Sequence, residues 1–171
     1  VLMPMIGTGS IENKERAKNA LEKARLAHEK YLIGQRNTDL QEAVEYYVDA
    51  VKYDPTIPET YYRLASLMWE QGQISVNSAI EQCKTAISLS PNNKDAHLYT
   101  GYFMQLAQDF QSAEKEFKSA IKMNPLSSGR PRMILSQSLL QKINSQNGTY
   151  KDYLGFVYYF LTGSVMLAWD R

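Results

Sequence analysis

The sequence predicts an all-α protein, a right-handed α-solenoid of antiparallel helix pairs. Three observations carry that prediction. The phrase Ala-x3-(large)-x2-Ala-x4-Pro occurs three times, as Ala43…Tyr47…Ala50…Pro55, Ala79…Cys83…Ala86…Pro91 and Ala113…Phe117…Ala120…Pro125. Its prolines lie 36 and 34 residues apart, a period that marks stacked supersecondary units. Small residues recur three and four positions apart, the spacing of one helix face, and no segment alternates strictly between polar and apolar as a half-buried strand would.

Residues 1–10 read as a flexible leader, because they lack the basic start and full apolar core of a secretory signal. Ser10 is a good N-cap for a long helix over 11–34, rich in Ala, Glu, Lys and Leu and free of Pro and Gly until Gly34. A polar turn at 35–38 leads to a second helix over 39–53. Asp54-Pro55 stops it, since a residue before proline is pushed out of α geometry. The plan repeats with helices over 58–71 and 75–90, broken by Gly72, and again over 94–107 and 110–123. The expected hairpins are therefore 11–55, 56–91 and 92–125.

Residues 126–171 are expected to form a divergent helical pair. Residues 127–131 read as a turn with Pro131 as a first helical residue, followed by a short helix over 133–143 that lacks the small residue of the other first helices. Residues 153–169 then run without a charge and have aromatic residues at both ends. Three readings of that helix stand side by side. Thr162-Gly163-x2-Met166 repeats Thr100-Gly101-x2-Met104, which makes it the first helix of a truncated further repeat. Gly155, Tyr159 and Thr162 as small, large and small make it the second helix of an aberrant repeat. Its length is near the minimum for crossing a bilayer, which makes it a membrane anchor. In a packed solenoid its apolar face calls for a partner or a second copy. The chain begins without Met and ends in Trp169-Asp170-Arg171, as expected of a piece of something longer.

Composition narrows the function classes. The chain is 44% hydrophobic and 22% charged, ordinary for a soluble protein, and its net charge of +1 gives no general pull toward nucleic acid. Charge is mildly uneven: residues 1–125 carry 14 Lys/Arg against 16 Asp/Glu, and residues 126–171 carry 5 against 2. Cys83 stands alone, so no intrachain disulfide is available, and its place beside Tyr47 and Phe117 in the phrase predicts a buried core thiol. His28 and His97 are too few for a histidine-based metal site. Glycine loops for phosphate, nucleophile elbows and HExxH motifs are missing, and Glu114 and Glu116 read as solvated helix positions beside Lys115 and Lys118. No enzyme activity, cofactor or metal is expected.

The phrases resemble tetratricopeptide repeats, whose 34-residue unit reads W-x2-L-G-x2-Y in its first helix and A-x3-F…P in its second. The third hairpin matches best, with His97-x2-Thr100-Gly101-x2-Met104 and Ala113-x3-Phe117; the second gives Tyr61-x2-Leu64-Ala65-x2-Met68, and the first Lys23-x2-Leu26-Ala27-x2-Lys30. Ala27, Ala65 and Gly101, faced by Ala43, Ala79 and Ala113, are expected where paired helices cross closely. The resemblance implies that first helices line a concave groove for an extended peptide or a partner helix. Carried over residue by residue, the groove positions are Ala24, His28 and Tyr31, then Glu59, Tyr62, Ser66 and Trp69, then Asp95, Leu98, Tyr102 and Gln105. Tyr31, Tyr62, Trp69 and Tyr102 are the expected anchors, since aromatic side chains give large contact area at low entropic cost. One branch of the family clamps chaperone C-terminal carboxylates with Lys and Asn. Here the matching places hold Ala24, His28, Tyr62, Ser66, Leu98 and Tyr102, so that clamp is missing.

The function expected from these features is a cytoplasmic, non-catalytic scaffold or adaptor that binds a protein or peptide partner. The alternatives are a membrane-associated module tethered through 153–169 and the targeting arm of a larger enzyme such as a glycosyltransferase.

Overall fold

The structure is a computed structural model that describes residues 11–125 and 129–169; the leader expected at 1–10 lies outside them. Among the described residues there are eight α-helices and no strand. They are α1 (Ile11–Gly34), α2 (Asn37–Tyr53), α3 (Pro58–Glu70), α4 (Val76–Leu89), α5 (Lys94–Leu106), α6 (Phe110–Met123), α7 (Gly129–Lys142) and α8 (Tyr150–Trp169). A π-helical turn, Ile143–Asn147, extends α7. Helices pack in consecutive pairs, and each second helix also packs on the first helix of the next pair. The chain is thus an all-α solenoid of helical hairpins.

The punctuation has a common local cause. Asp54, Ser90 and Asn124, each followed by proline, close α2, α4 and α6 with φ of −143°, −145° and −142°. Proline excludes α geometry from the residue before it, so the second helix stops at the same place in every repeat. Ser75, Asn93 and Asp109 accept from the backbone N–H of Ser78, Ala96 and Ser112, capping α4, α5 and α6. Inside each of these three hairpins the turn uses one left-handed residue: Gln35 (φ 51°), Gly72 (φ 69°) and Gln108 (φ 63°). Glycine adopts that geometry freely, whereas the two glutamines adopt it at a cost of about 1 kcal/mol each.

In the second and third hairpins the first position of the first-helix signature also ties down the turn before it. Tyr61 Oη donates to the Pro55 carbonyl at 2.8 Å, and His97 Nε2 to the Pro91 carbonyl at 2.9 Å. The other His97 nitrogen lies 2.6 Å from Glu116 Oε2, which joins α5 to α6.

Ala43, Ala79 and Ala113 are wholly buried, as are Ala50, Ala86 and Ala120, while Tyr47, Cys83 and Phe117 fill the space between them. A Cβ added at Gly101 would lie 2.7 Å from the Phe117 ring, so glycine there lets the third hairpin close without displacing that ring.

The last hairpin reaches the same closeness by other means. α7 begins at Gly129, four residues before the expected start, and α8 packs along it as the second helix of the pair. The close approach comes from α8: a Cβ at Gly155 would lie 3.1 Å from Leu139 Cδ1, and one at Gly163 would lie 3.0 Å from Arg132 Cβ. Thr149 and Asp152 cap α8 reciprocally, Thr149 N donating to Asp152 Oδ2 at 2.6 Å and Asp152 N to Thr149 Oγ1 at 3.4 Å. Lys142 Nζ adds a 2.7 Å ion pair to the other carboxylate oxygen. Phe156 and Tyr159 of α8 join Phe117, Leu135 and Leu139 in one apolar cluster. Among the described residues no helix is long and apolar enough to cross a membrane.

Candidate protein-interaction face

First helices meet first helices along one continuous row. Between α1 and α3, the Arg25 guanidinium forks onto the Glu59 carboxylate, and Tyr31 Oη donates to Glu70 Oε1 at 2.5 Å. Between α3 and α5, Arg63 Nη1 donates to Tyr99 Oη at 2.9 Å, and the Tyr62 and Tyr99 rings stack at 5.0 Å. Farther along, Trp69 meets Tyr102 edge to face at 6.3 Å and Phe103 at 5.7 Å. Between α5 and α7, Gln105 Nε2 donates to Gln141 Oε1 at 2.8 Å. The fixed hairpin period brings equivalent positions side by side, which is why contacts recur about 36 residues apart.

All eleven residues singled out from the sequence lie on these first helices, but they divide by depth. His28, Tyr31 and Tyr62 are buried, and so is Ala24. These residues form the floor and hold neighbouring hairpins together. Glu59 is tied to Arg25 and to Arg63, whose Nε lies 3.9 Å away. Ser66, Asp95 and Leu98 are half-buried, and Leu98 packs against the cluster around Phe117. Trp69 and Gln105 are half-buried and Tyr102 is exposed, so these three supply open surface. Of the four expected anchors, Trp69 and Tyr102 are accessible, whereas Tyr31 and Tyr62 are packing residues.

Arg63 and Tyr99 are the pair that sequence reasoning missed. The Arg63 guanidinium sits 5.8 Å from the Tyr62 ring centroid and 5.6 Å from that of Tyr99, bridging α3 and α5 from the middle of the row. The signal lay in the i, i+4 spacing of Glu59 and Arg63 and in the 36-residue step from Arg63 to Tyr99.

The electrostatics follow from this depth. Burial lowers the His28 pKa, and the positive charge of Arg63 lowers it further against weaker opposing pulls from Glu70, Glu29 and Glu59. Burial likewise raises the phenol pKa values of Tyr47 and Tyr62. Burial pushes the Cys83 thiol up to about 12, as the expected core thiol requires. Among the described residues no group of three His, Cys, Asp or Glu is placed to hold a metal ion. What the face offers is an aromatic shelf at Trp69 and Tyr102 with an amide pair beside it.

The solved structures most like this chain include the crystal structure of MamA, at a TM-score of 0.64 and 18% identity, covering 94% of this chain and 84% of that one. The first tetratricopeptide-repeat domain of Spaghetti (RPAP3), bound to the HSP90 peptide SRMEEVD, matches at a TM-score of 0.54 and 20% identity over 66% of this chain and 82% of that one. A mutant O-GlcNAc transferase from Thermobaculum terrenum matches at 0.64 and 19% identity, over 76% of this chain and 23% of that one. No family model matches the sequence, and no curated protein does. The chain has the tetratricopeptide-repeat fold.

Proposed function

We propose that this chain is a non-catalytic protein-interaction scaffold that holds a short peptide or a partner helix on its first-helix face. The observation that carries the reading is the Trp69–Tyr102 pair, a half-buried and an exposed aromatic in edge-to-face contact on a face where Tyr31 and Tyr62 are buried. Such residues are the usual energetic anchors of an interface. The solved Spaghetti domain, which shares the fold, is a peptide complex, and that supports the same use here. Gln105 and Gln141 would set register by polar contact at the rim. Ala24, His28, Tyr62, Ser66, Leu98 and Tyr102 at the clamp positions argue for a ligand held by apolar anchors rather than by a terminal carboxylate. A reducing cytoplasm suits a chain whose one cysteine is an unpaired core thiol.

A random peptide library displayed on phage and selected on the purified chain is the direct test. Selected peptides should carry aromatic or aliphatic anchors and shift Trp69 fluorescence on binding. Trp69→Ala with Tyr102→Ala should weaken them at least about 30-fold, as expected for two interface anchors, with the helical circular-dichroism spectrum unchanged. Unchanged affinity in the double variant would defeat the reading. Tyr62 is unsuitable for this test because it is 4% exposed and its loss would disturb the core.

The transferase likeness favours one further reading, the targeting arm of a larger enzyme. Sugar transfer by the full-length gene product, lost when this segment alone is deleted, is the result it requires.

A further inference from the structure

α8 has two unlike sides. Gly155, Phe156, Tyr159 and Gly163 turn toward the rest of the hairpin, while Tyr153, Leu154, Tyr158, Phe160 and Leu161 are 43% to 58% exposed. At 100° per residue these five lie on one face, opposite the glycines. Their spacing, with Leu154, Tyr158 and Leu161 at i, i+4 and i+7, is that of a helix prepared to meet another helix. Between 153 and 164 that face carries no charged residue, and exposed Lys151 stands at its N-terminal edge.

We propose that this face pairs with the same face of a second copy, forming a two-fold symmetric dimer through antiparallel α8 helices. Three arguments select that occupant. Five half-exposed large side chains leave roughly 500 Å² of apolar surface, at about 100 Å² each. That approaches the share one partner gives to a small specific interface, on the order of 600 Å².

Charge is the second argument. An uncharged face loses least against another uncharged face, because any Lys or Glu brought against it is desolvated without a partner. The other exposed helix carrying several large apolar residues is α1, with Leu26, Leu32 and Ile33, and it interleaves them with Glu22, Arg25, Glu29 and Lys30. Head-to-tail stacking of α8 on α1 would therefore desolvate those charges. Among the described residues α8 is the surface of this chain that matches α8.

Symmetry is the third argument. An isologous contact needs a self-complementary patch, and rows of alternating aromatic and leucine side chains interdigitate when one helix is reversed against its copy. The inference concerns a different face from the proposed peptide site and does not depend on it.

Sedimentation velocity on the purified chain from about 1 to 100 μM, the range in which a small interface associates, should show a concentration-dependent shift from monomer to dimer. Tyr158→Lys with Leu161→Lys brings four like charges together across the two-fold axis. It should raise the dissociation constant at least about 100-fold, as like-charge contacts do, while the helical spectrum is kept. A monomeric wild-type chain across that range, or a dimer that survives the double substitution, overturns the proposal. If the double variant loses its helical spectrum, Tyr158→Cys, at the middle of the row and so beside the two-fold axis, replaces it. Oxidation should then yield a disulfide-linked dimer, with buried Cys83 silent, and no cross-link counts against the proposal. A monomer that floats with vesicles of phosphatidylcholine and phosphatidylglycerol also overturns it, since a bilayer would then cover the face.

Discussion

Gly101 and Phe117 divide between them a volume that the second hairpin divides as Ala65 and Cys83. With the Phe117 ring in place of the Cys83 thiol, the first helix has room for glycine but not for a methyl group, because interiors are packed near crystalline density. Gly101→Ala sets two effects against each other. Alanine gains about 1 kcal/mol of helix propensity over glycine, whereas its Cβ falls 2.7 Å from a wholly buried ring that has little room to move. Overpacking of that kind costs about 1–3 kcal/mol, so the variant should be destabilised by about 1 kcal/mol. In urea denaturation, adding Phe117→Leu should recover part of the loss, with the double-variant cycle sub-additive by about 1 kcal/mol. Additive losses would mean that the two side chains do not share the space. The same residues show what one sequence discloses. Small and large positions were readable from their spacing, because spacing decides which helix face a residue occupies. Depth was not. Tyr62 and Trp69 belong to the same face of α3, yet Tyr62 lies under Tyr99 and Arg63 while Trp69 stays accessible.

At the scale of elements, the α7–α8 hairpin depends on one carboxylate. Asp152 is 7% exposed and receives Lys142 Nζ, the Thr149 amide and the Thr149 hydroxyl. Burial opposes its ionisation, but those donors outweigh it and hold the carboxyl down at about 2. Since the folded value lies below the unfolded one, the stabilisation is full above about pH 4 and is lost as pH falls through 2. Asp152→Ala removes a cap and strands Lys142, and should cost about 1–2 kcal/mol at neutral pH. In thermal melts that difference from wild type should shrink toward pH 2; a constant difference would show that the loss does not come from the ionised carboxylate. The hairpin also shows where the repeat phrase stops being informative. Residues 153–169 were readable as an uncharged helix, but the phrase supplies no partner for them. The helix finds its place through Gly155 and Gly163 against α7, an exchange of the small positions from the first helix to the second. The Gly155-x3-Tyr159 spacing repeats the small–large spacing of the earlier second helices and so marks Gly155, but nothing in that spacing marks Gly163.

In the whole molecule, stability is expected to be a sum of hairpins and the interfaces between them, so a group at a junction affects two units at once. His28 is such a group. It is buried on α1, meets Tyr47 of α2 edge to face at 6.3 Å and feels the charge of Arg63 on α3. Burial first, then Arg63, lowers its folded pKa below the ordinary 6.5. The unfolded chain therefore takes up this proton more readily than the folded one. The contribution is full above about pH 6.5 and declines as pH falls through the lowered folded value. Cooling of the thermal midpoint should begin between pH 7 and 5, well above the range in which Asp152 responds. His28→Gln keeps a polar side chain of similar length without a titrating ring, and it should flatten the midpoint over that interval while leaving the acid limb below pH 4 in place. Labelling of Cys83 supplies a second readout, because that buried thiol reacts only when its hairpin opens. If the α1–α3 junction governs the loss, wild-type labelling should speed up from pH 7 to 5 relative to His28→Gln at matched thiol reactivity. Equal labelling in the two proteins, with equal midpoints, would place the pH sensitivity of the solenoid elsewhere.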